Sequence, residues 1–256
     1  MSKYSQIKID SQFLWNWPKV PHAQISGTTG SGKTVLIYYL LLSFLERGSF
    51  LSIIDPKRGD LASLGKHLQH ANGEVAFEPN QIAKILRSKV ELMNERYRKF
   101  FMPNSTIGLN FVDLNLRPHI VIIDEILALM EEDTKVGKEC ERYIKQLILK
   151  GRQAGIQVII ATQRLSADAL DPAIRENCGL RISLGKMQAE SYKMALGMSS
   201  KNLPNANLGV GKGYIYMDGM NWGTPKPFNA PILDLKKLNL PKIFFELQHI
   251  HHYFDE

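Results

Sequence analysis

The stretch Gly27-Thr28-Thr29-Gly30-Ser31-Gly32-Lys33-Thr34 brings together what phosphate binding requires. Glycines let a loop curl so that backbone N–H groups converge on an anion, and a following helix adds the partial positive charge of its N-terminus. In this pattern, G-x-x-x-x-G-K-[ST], Lys33 reaches the β- and γ-phosphates of a nucleoside triphosphate and the Thr34 hydroxyl ligates Mg²⁺. A Gly-rich turn arising by chance would share the composition but not the context. Here His22–Ser26 predicts a short strand before the loop, and the apolar run Val35–Leu45 predicts a helix after it. The implied ligands are a nucleoside triphosphate and Mg²⁺.

Further positions carry chemistry that complements this loop. His119-Ile-Val-Ile-Ile-Asp124-Glu125 reads as a buried strand ending in two carboxylates. Asp124 is placed to hold Mg²⁺, and Glu125 to orient and polarise the attacking water. Ile156-Gln-Val-Ile-Ile-Ala161-Thr162-Gln163 reads as another buried strand with polar residues at its C-terminal end, where open α/β sheets bind ligands. Gln163 is therefore a candidate sensor of the γ-phosphate or the water. Arg152 precedes that strand, which places it at the opposite edge from its own phosphate loop, where a cation serving a neighbouring subunit would stand. The bland readings are a strand-terminal amide for Gln163 and a cation at a helix C-terminus for Arg152. Asp55-Pro56-Lys57-Arg58-Gly59-Asp60 directly follows the short strand Phe50–Ile54, and reads equally well as a ligand site or as a solvated turn.

Strands alternating with helix-length segments define the fold class as α/β, with a central, mostly parallel sheet flanked by helices. Residues 81–101 predict an amphipathic helix, with Ile82, Ile85, Leu86, Val90, Met93 and Tyr97 recurring at helical spacing. Residues 138–150 predict another helix, and 103–113 a loop. Further on, 181–184 predicts a strand, 188–196 a helix, and Tyr214–Met217 with the Asp218-Gly219 turn a late hairpin. Phe13, Leu14, Trp15 and Trp17 in the N-terminal segment are expected to pack on the domain, with Pro18 and Pro21 excluding a long helix. The expected organisation is a lead-in segment at 1–20, one core α/β domain at 21–220 and a C-terminal extension at 221–256.

Composition narrows the setting. No apolar run approaches the roughly 20 residues of a membrane-spanning helix, and the N-terminus lacks an apolar signal core, so a cytoplasmic location is expected. The two cysteines, Cys140 and Cys178, are too few and too isolated for a metal site or a disulfide framework, and read as packing residues. His249, His251 and His252 read as surface residues, because no cysteine or paired acid supports a metal site beside them. A net charge of +7 is compatible with a polyanionic partner.

Taken as ordered blocks, the chain resembles the motor domain of the FtsK/SpoIIIE family, within the HerA-like P-loop ATPases. The blocks are 21–34, IIDPK at 53–57, MNERYR at 93–98, IVIIDE at 120–125, VGKECE at 136–141, GRQAGIQVIIATQR at 151–164 and GKGYIYMDG at 211–219. The resemblance implies a RecA-like ATPase core, a homohexameric ring and ATP-driven pumping of double-stranded DNA. It assigns the sensor role to Gln163, and Arg152 lies at a spacing from it similar to that of the proposed finger in conjugative coupling proteins. It also suggests that a loop at 131–138 presents Lys135 and Lys138 to DNA phosphates. In the helix after the Arg181 strand this chain has Lys193 where the family often has Arg. Lacking membrane spans and a winged-helix reader, the sequence looks like a stand-alone motor of a plasmid or conjugative element, with a relaxase or a membrane-anchored transfer component as an expected partner and recruitment to the membrane by a partner. The rival expectations are a nucleotide-gated adaptor for a relaxase or replication complex, and a protein-secretion ATPase.

Overall fold

The computed structural model describes residues 3–68, 72–102, 107–132, 134–163 and 171–247. An eight-stranded sheet forms the centre of the molecule. Its strands are β3 (Ala23–Gly27), β4 (Phe50–Ile54), β5 (Gly73–Ala76), β6 (His119–Asp124), β7 (Ile156–Thr162), β8 (Leu180–Leu184), β9 (Lys212–Met217) and β10 (Lys226–Asn229). They lie side by side in the order β10-β9-β8-β3-β7-β6-β4-β5. The six from β8 to β5 run parallel, and β9 and β10 add an antiparallel edge. A separate two-stranded ribbon, β1 (Ile7–Lys8) with β2 (Leu14–Trp15), belongs to the N-terminal segment.

Successive residues of a strand face opposite sides, so a strand buried on both faces needs an unbroken apolar run. Strands β6 and β7 show this. Ile120, Ile122, Ile159 and Ala161 enter one core with α1 (Lys33–Glu46), Trp15, Trp17 and Phe111. Val121, Ile123, Val158 and Ile160 enter the other with α2 (Pro79–Phe100), α3 (Ile126–Glu132) and α4 (Thr134–Ala154). Each such side chain contributes about 1.5–3 kcal/mol of burial free energy. Helices α5 (Pro172–Glu176), α6 (Ala189–Leu196) and α7 (Leu240–Leu247) complete the described elements together with short 3₁₀ turns at Leu61–Lys66 and Ser200–Asn202.

Two buried arginines act as fasteners. Arg47 donates to the Ser5 and Gln6 carbonyls, each at 2.9 Å, which ties the N-terminal segment to the end of α1. Arg96 donates to the Ala154 and Arg117 carbonyls at 2.6 and 2.7 Å, joining α2 to the end of α4 and the start of β6. Gly155 closes α4 at φ +76°, with Phe111 atoms 2.7 Å from where a Cβ would stand, so only glycine permits that turn. Trp15 and Trp17 are fully buried as expected, whereas Leu14 is 53% exposed because it occupies the outward face of β2. Both cysteine thiols are buried, and desolvation pushes each up to about 12.

Two buried histidines make the fold sensitive to acid. His22, at φ +56°, receives the Val158 N–H on Nδ1 at 3.0 Å, and burial lowers its pKa from 6.5 to about 3, opposed by the Ile148 carbonyl and reinforced by Arg152. His119, stacked on Phe50, is held well below 6.5, first by burial and then by Lys89, Arg96 and Arg117. Both stay neutral in the fold while the unfolded chain takes up protons, so stability is complete above pH 6.5 and declines as pH falls. At about 1.4 kcal/mol per pH unit for each group, urea unfolding at pH 5.5 should give a free energy about 2.5 kcal/mol below that at pH 7.5. His22→Asn, which tolerates the positive φ, should remove about half of that difference; an unchanged slope would contradict the assignment.

Candidate active site

The phosphate loop spans the C-terminal end of β3 and the start of α1. Gly32 caps α1 in the left-handed region at φ +93°, and a Cβ there would lie 3.0 Å from the Gly211 backbone nitrogen. The loop is further fixed by Ser31 N–H to the Thr28 carbonyl at 3.0 Å and by Gly211 N–H to the Ser31 carbonyl at 2.8 Å. The late GKG block therefore backs the phosphate loop directly. Thr28, Thr29, Gly30, Gly32, Lys33 and Thr34 line a cavity of about 350 Å³ together with Asp124 and Gln163.

Sheet order explains how the chemistry converges. Strand β7 lies between β3 and β6, so its end separates the phosphate loop from the two acids. Lys33 Nζ is 3.1 Å from Asp124 Oδ1 and 3.9 Å from Glu125 Oε2. Glu125 departs from β6 at φ +60°, a left-handed backbone that costs a non-glycine residue about 1–3 kcal/mol, and its side chain is 5% exposed. That turn aims the carboxylate across β7. The Thr162 hydroxyl donates to Oε1 at 2.9 Å, and the Gln163 N–H donates to Oε2 at 3.1 Å. Gln163 is tied in turn to the phosphate loop, its Oε1 accepting the Thr29 hydroxyl at 3.1 Å. Lys33, Thr34, Asp124, Glu125 and Gln163 thus lie together at one end of the sheet.

The donor set suits Mg²⁺. The Thr34 hydroxyl and the Asp124 carboxylate are hard oxygen ligands on the edge of the cavity, and Mg²⁺ usually takes only one or two protein oxygens beside substrate phosphates. Among the described residues no cluster of three or more His, Cys, Asp or Glu could hold a metal on its own.

Two residues at the site were not singled out by spacing. Thr162 was seen only as part of a strand end. Lys57 lay in the charged run after β4 and reaches Glu125 Oε2 at 3.5 Å. Its neighbour Asp55 is buried and accepts the Ala62 N–H at 2.9 Å; desolvation is the main cause raising its pKa, and Asp124 adds to it.

Arg152 stands apart from this cluster. It ends α4, before β7, and β7 runs parallel to β3, so about 20 Å of strand separates it from its own phosphate loop. It is exposed, and with Asn16 and Lys19 it borders two neighbouring surface cavities. The loop expected at 131–138 is helical instead, α3 running to Glu132 and α4 starting at Thr134. Ile126, Leu129, Cys140 and Ile144 share one core, which packs α3 against α4 on either side of that position. Lys135 and Lys138 consequently occupy the exposed first turns of α4. Arg164 and the histidines 249, 251 and 252 lie outside the described residues.

Comparison with known proteins gives a consistent family. Residues 4–113 match the FtsK/SpoIIIE family. The FtsK domain-containing protein YdcQ of Bacillus subtilis is 34% identical over 221 residues, covering 86% of this chain and 45% of that protein. The DNA translocase FtsK of Campylobacter jejuni is 34% identical over 199 residues, covering 73% of this chain and 21% of that one. The chain thus spans less than half the length of either relative. Among solved structures, the pCW3 conjugation coupling protein TcpA with ATPγS superposes with a TM-score of 0.81 at 23% identity, over 96% of this chain and 71% of that one. Two ATPase domains of EssC from Geobacillus thermodenitrificans give 0.77 at 19%, over 97% and 49%. These likenesses establish the fold. Among the described residues no helix is long and apolar enough to cross a membrane.

Proposed function

We propose that this chain, whose residues 4–113 match the FtsK/SpoIIIE family and which is 34% identical to FtsK-type relatives, hydrolyses ATP to move double-stranded DNA. The observation that carries the reading is the convergence of Lys33, Asp124, a clamped Glu125 and Gln163 at the ends of β3, β6 and β7. Phosphoryl transfer is catalysed mostly by positioning and charge, and these residues supply both. Lys33 and the loop amides hold the β- and γ-phosphates. Mg²⁺, held by Thr34 and Asp124, offsets phosphate charge when bound. Glu125 orients the water, and Gln163 links that carboxylate to the phosphate loop.

The nucleic-acid half of the reading draws on the relatives named DNA translocases and on the net charge of +7. Lys135 and Lys138 are proposed to neutralise DNA phosphates without reading bases. The working assembly is a homohexameric ring in which Arg152 completes the neighbour's site, serving DNA transfer by a plasmid or conjugative element with a relaxase or membrane-anchored protein as docking partner.

The test is the ATPase rate alone, with linear duplex DNA and with single-stranded DNA, at two salt concentrations. Strong stimulation by duplex that fades at higher salt is expected, since each neutralised phosphate contributes about −0.9 to the slope of log affinity against log salt. Turnover indifferent to both DNAs would favour a protein-secretion ATPase or a nucleotide-gated adaptor instead.

A further inference from the structure

We propose that Lys57 is the positioning residue of the hydrolytic carboxylate, presented to Glu125 by a loop that the buried side chain of Asp55 builds. The inference rests on the ATPase reading above and extends it to a residue in the loop that follows a fourth strand, β4. Strand β4 lies beside β6, so the segment that follows it emerges next to Glu125. Asp55 follows that strand fully buried, and its carboxylate accepts the Ala62 N–H at 2.9 Å. The Arg58 N–H returns to the Asp55 carbonyl at 3.0 Å, and Arg58 itself sits at φ +53°. This wraps residues 55–62 into a tight loop and aims Lys57 back at the site.

The two oxygens of Glu125 have different neighbours. Oε1 takes the Thr162 hydroxyl from inside the sheet, while Oε2 faces Lys57 at 3.5 Å and Lys33 at 3.9 Å as well as the Gln163 N–H. Lys33 is committed to the phosphates and to Asp124, from which it lies 3.1 Å. Among the described residues, Lys57 is the cation left to hold Oε2 while Lys33 is engaged elsewhere. Its side chain is 51% exposed, so the ion pair adds little to stability; its consequence lies in where the carboxylate points. In the reaction, the water oxygen bonds to the γ-phosphorus and the bond to the β–γ bridging oxygen breaks. That electron pair leaves with ADP, and the water proton passes to the products. Glu125 aligns the water for that attack, and Lys57 keeps Glu125 aligned.

The experiment is a double-mutant cycle in steady-state ATP turnover, with duplex DNA present. Lys57→Met should lower kcat by about tenfold or more, with KM for ATP within about threefold, the pattern of an interaction used in the transition state. Lys57→Arg should recover much of the rate. Adding Lys57→Met to Glu125→Gln should cost nothing further, because the carboxylate it positions is gone. Thermal unfolding of Lys57→Met should match the wild type. Wild-type turnover by Lys57→Met, a rise in KM alone, or a full additional loss on the Glu125→Gln background would each overturn the proposal while leaving the ATPase reading intact. An inactive wild-type chain under every DNA condition would overturn the ATPase reading and this proposal with it.

Discussion

Glu125→Gln should bind ATP and fail to turn it over, with kcat lower by about 10²- to 10⁴-fold and affinity for ATP retained. The substitution keeps the length of the side chain and an oxygen that can accept the Thr162 hydroxyl, which bonds Glu125 Oε1 at 2.9 Å. What it removes is the charged acceptor for the attacking water. The phosphate loop and Lys33 are untouched, so the nucleotide stays bound uncleaved. Lys33→Ala should show the complementary defect. Its Nζ, 3.1 Å from Asp124 Oδ1, is the loop's one side-chain cation, and without it both retention and turnover of ATP should vanish. Retention of labelled ATP on a filter, followed by chromatography of the bound nucleotide, separates the two variants. Normal turnover by Glu125→Gln would remove Glu125 from the water-orienting role.

The second large effect is expected at Arg152. Placed across the sheet from its own phosphate loop and beside two surface cavities, it cannot serve the site of its own chain. A finger arginine supplied across an interface accelerates phosphoryl transfer by about 10³- to 10⁵-fold. Arg152→Ala alone should therefore lose nearly all activity while keeping its own ATP affinity. In the proposed ring each Arg152→Ala subunit disables its wild-type neighbour, so activity should fall faster than the wild-type fraction as the two are mixed. A linear fall with dilution would assign Arg152 to its own chain's structure instead.

Different parts of the site were legible to different degrees, for identifiable reasons. The phosphate loop and Asp124-Glu125 stand out because each packs its chemistry into adjacent residues at the end of an apolar run. The faces of β6 and β7 are equally plain, since burial on both sides demands unbroken apolar residues. Gln163 followed from strand polarity, as did the remoteness of Arg152. Lys57 and Thr162 did not, because they reach Glu125 only through the strand order β3-β7-β6-β4, which no local spacing encodes. Strand β5 escaped for another reason. At four residues, opening on Gly73, it carries no alternation to read. The late hairpin is present as β9 with β10, but its return strand starts at Lys226, well beyond the Asp218-Gly219 turn. The helical start of α4 at Thr134 reflects packing of Leu129 near Cys140 and Ile144, a tertiary choice overriding a charged, loop-like local sequence.

Displacement of a triplex-forming oligonucleotide from linear duplex DNA tests the central claim most directly, because only movement along the duplex strips the third strand. The account predicts rapid displacement with ATP and none by Glu125→Gln, whose ATP stays uncleaved. Duplex-stimulated hydrolysis by the wild type without displacement would contradict it, leaving an ATPase that senses DNA but does not move it.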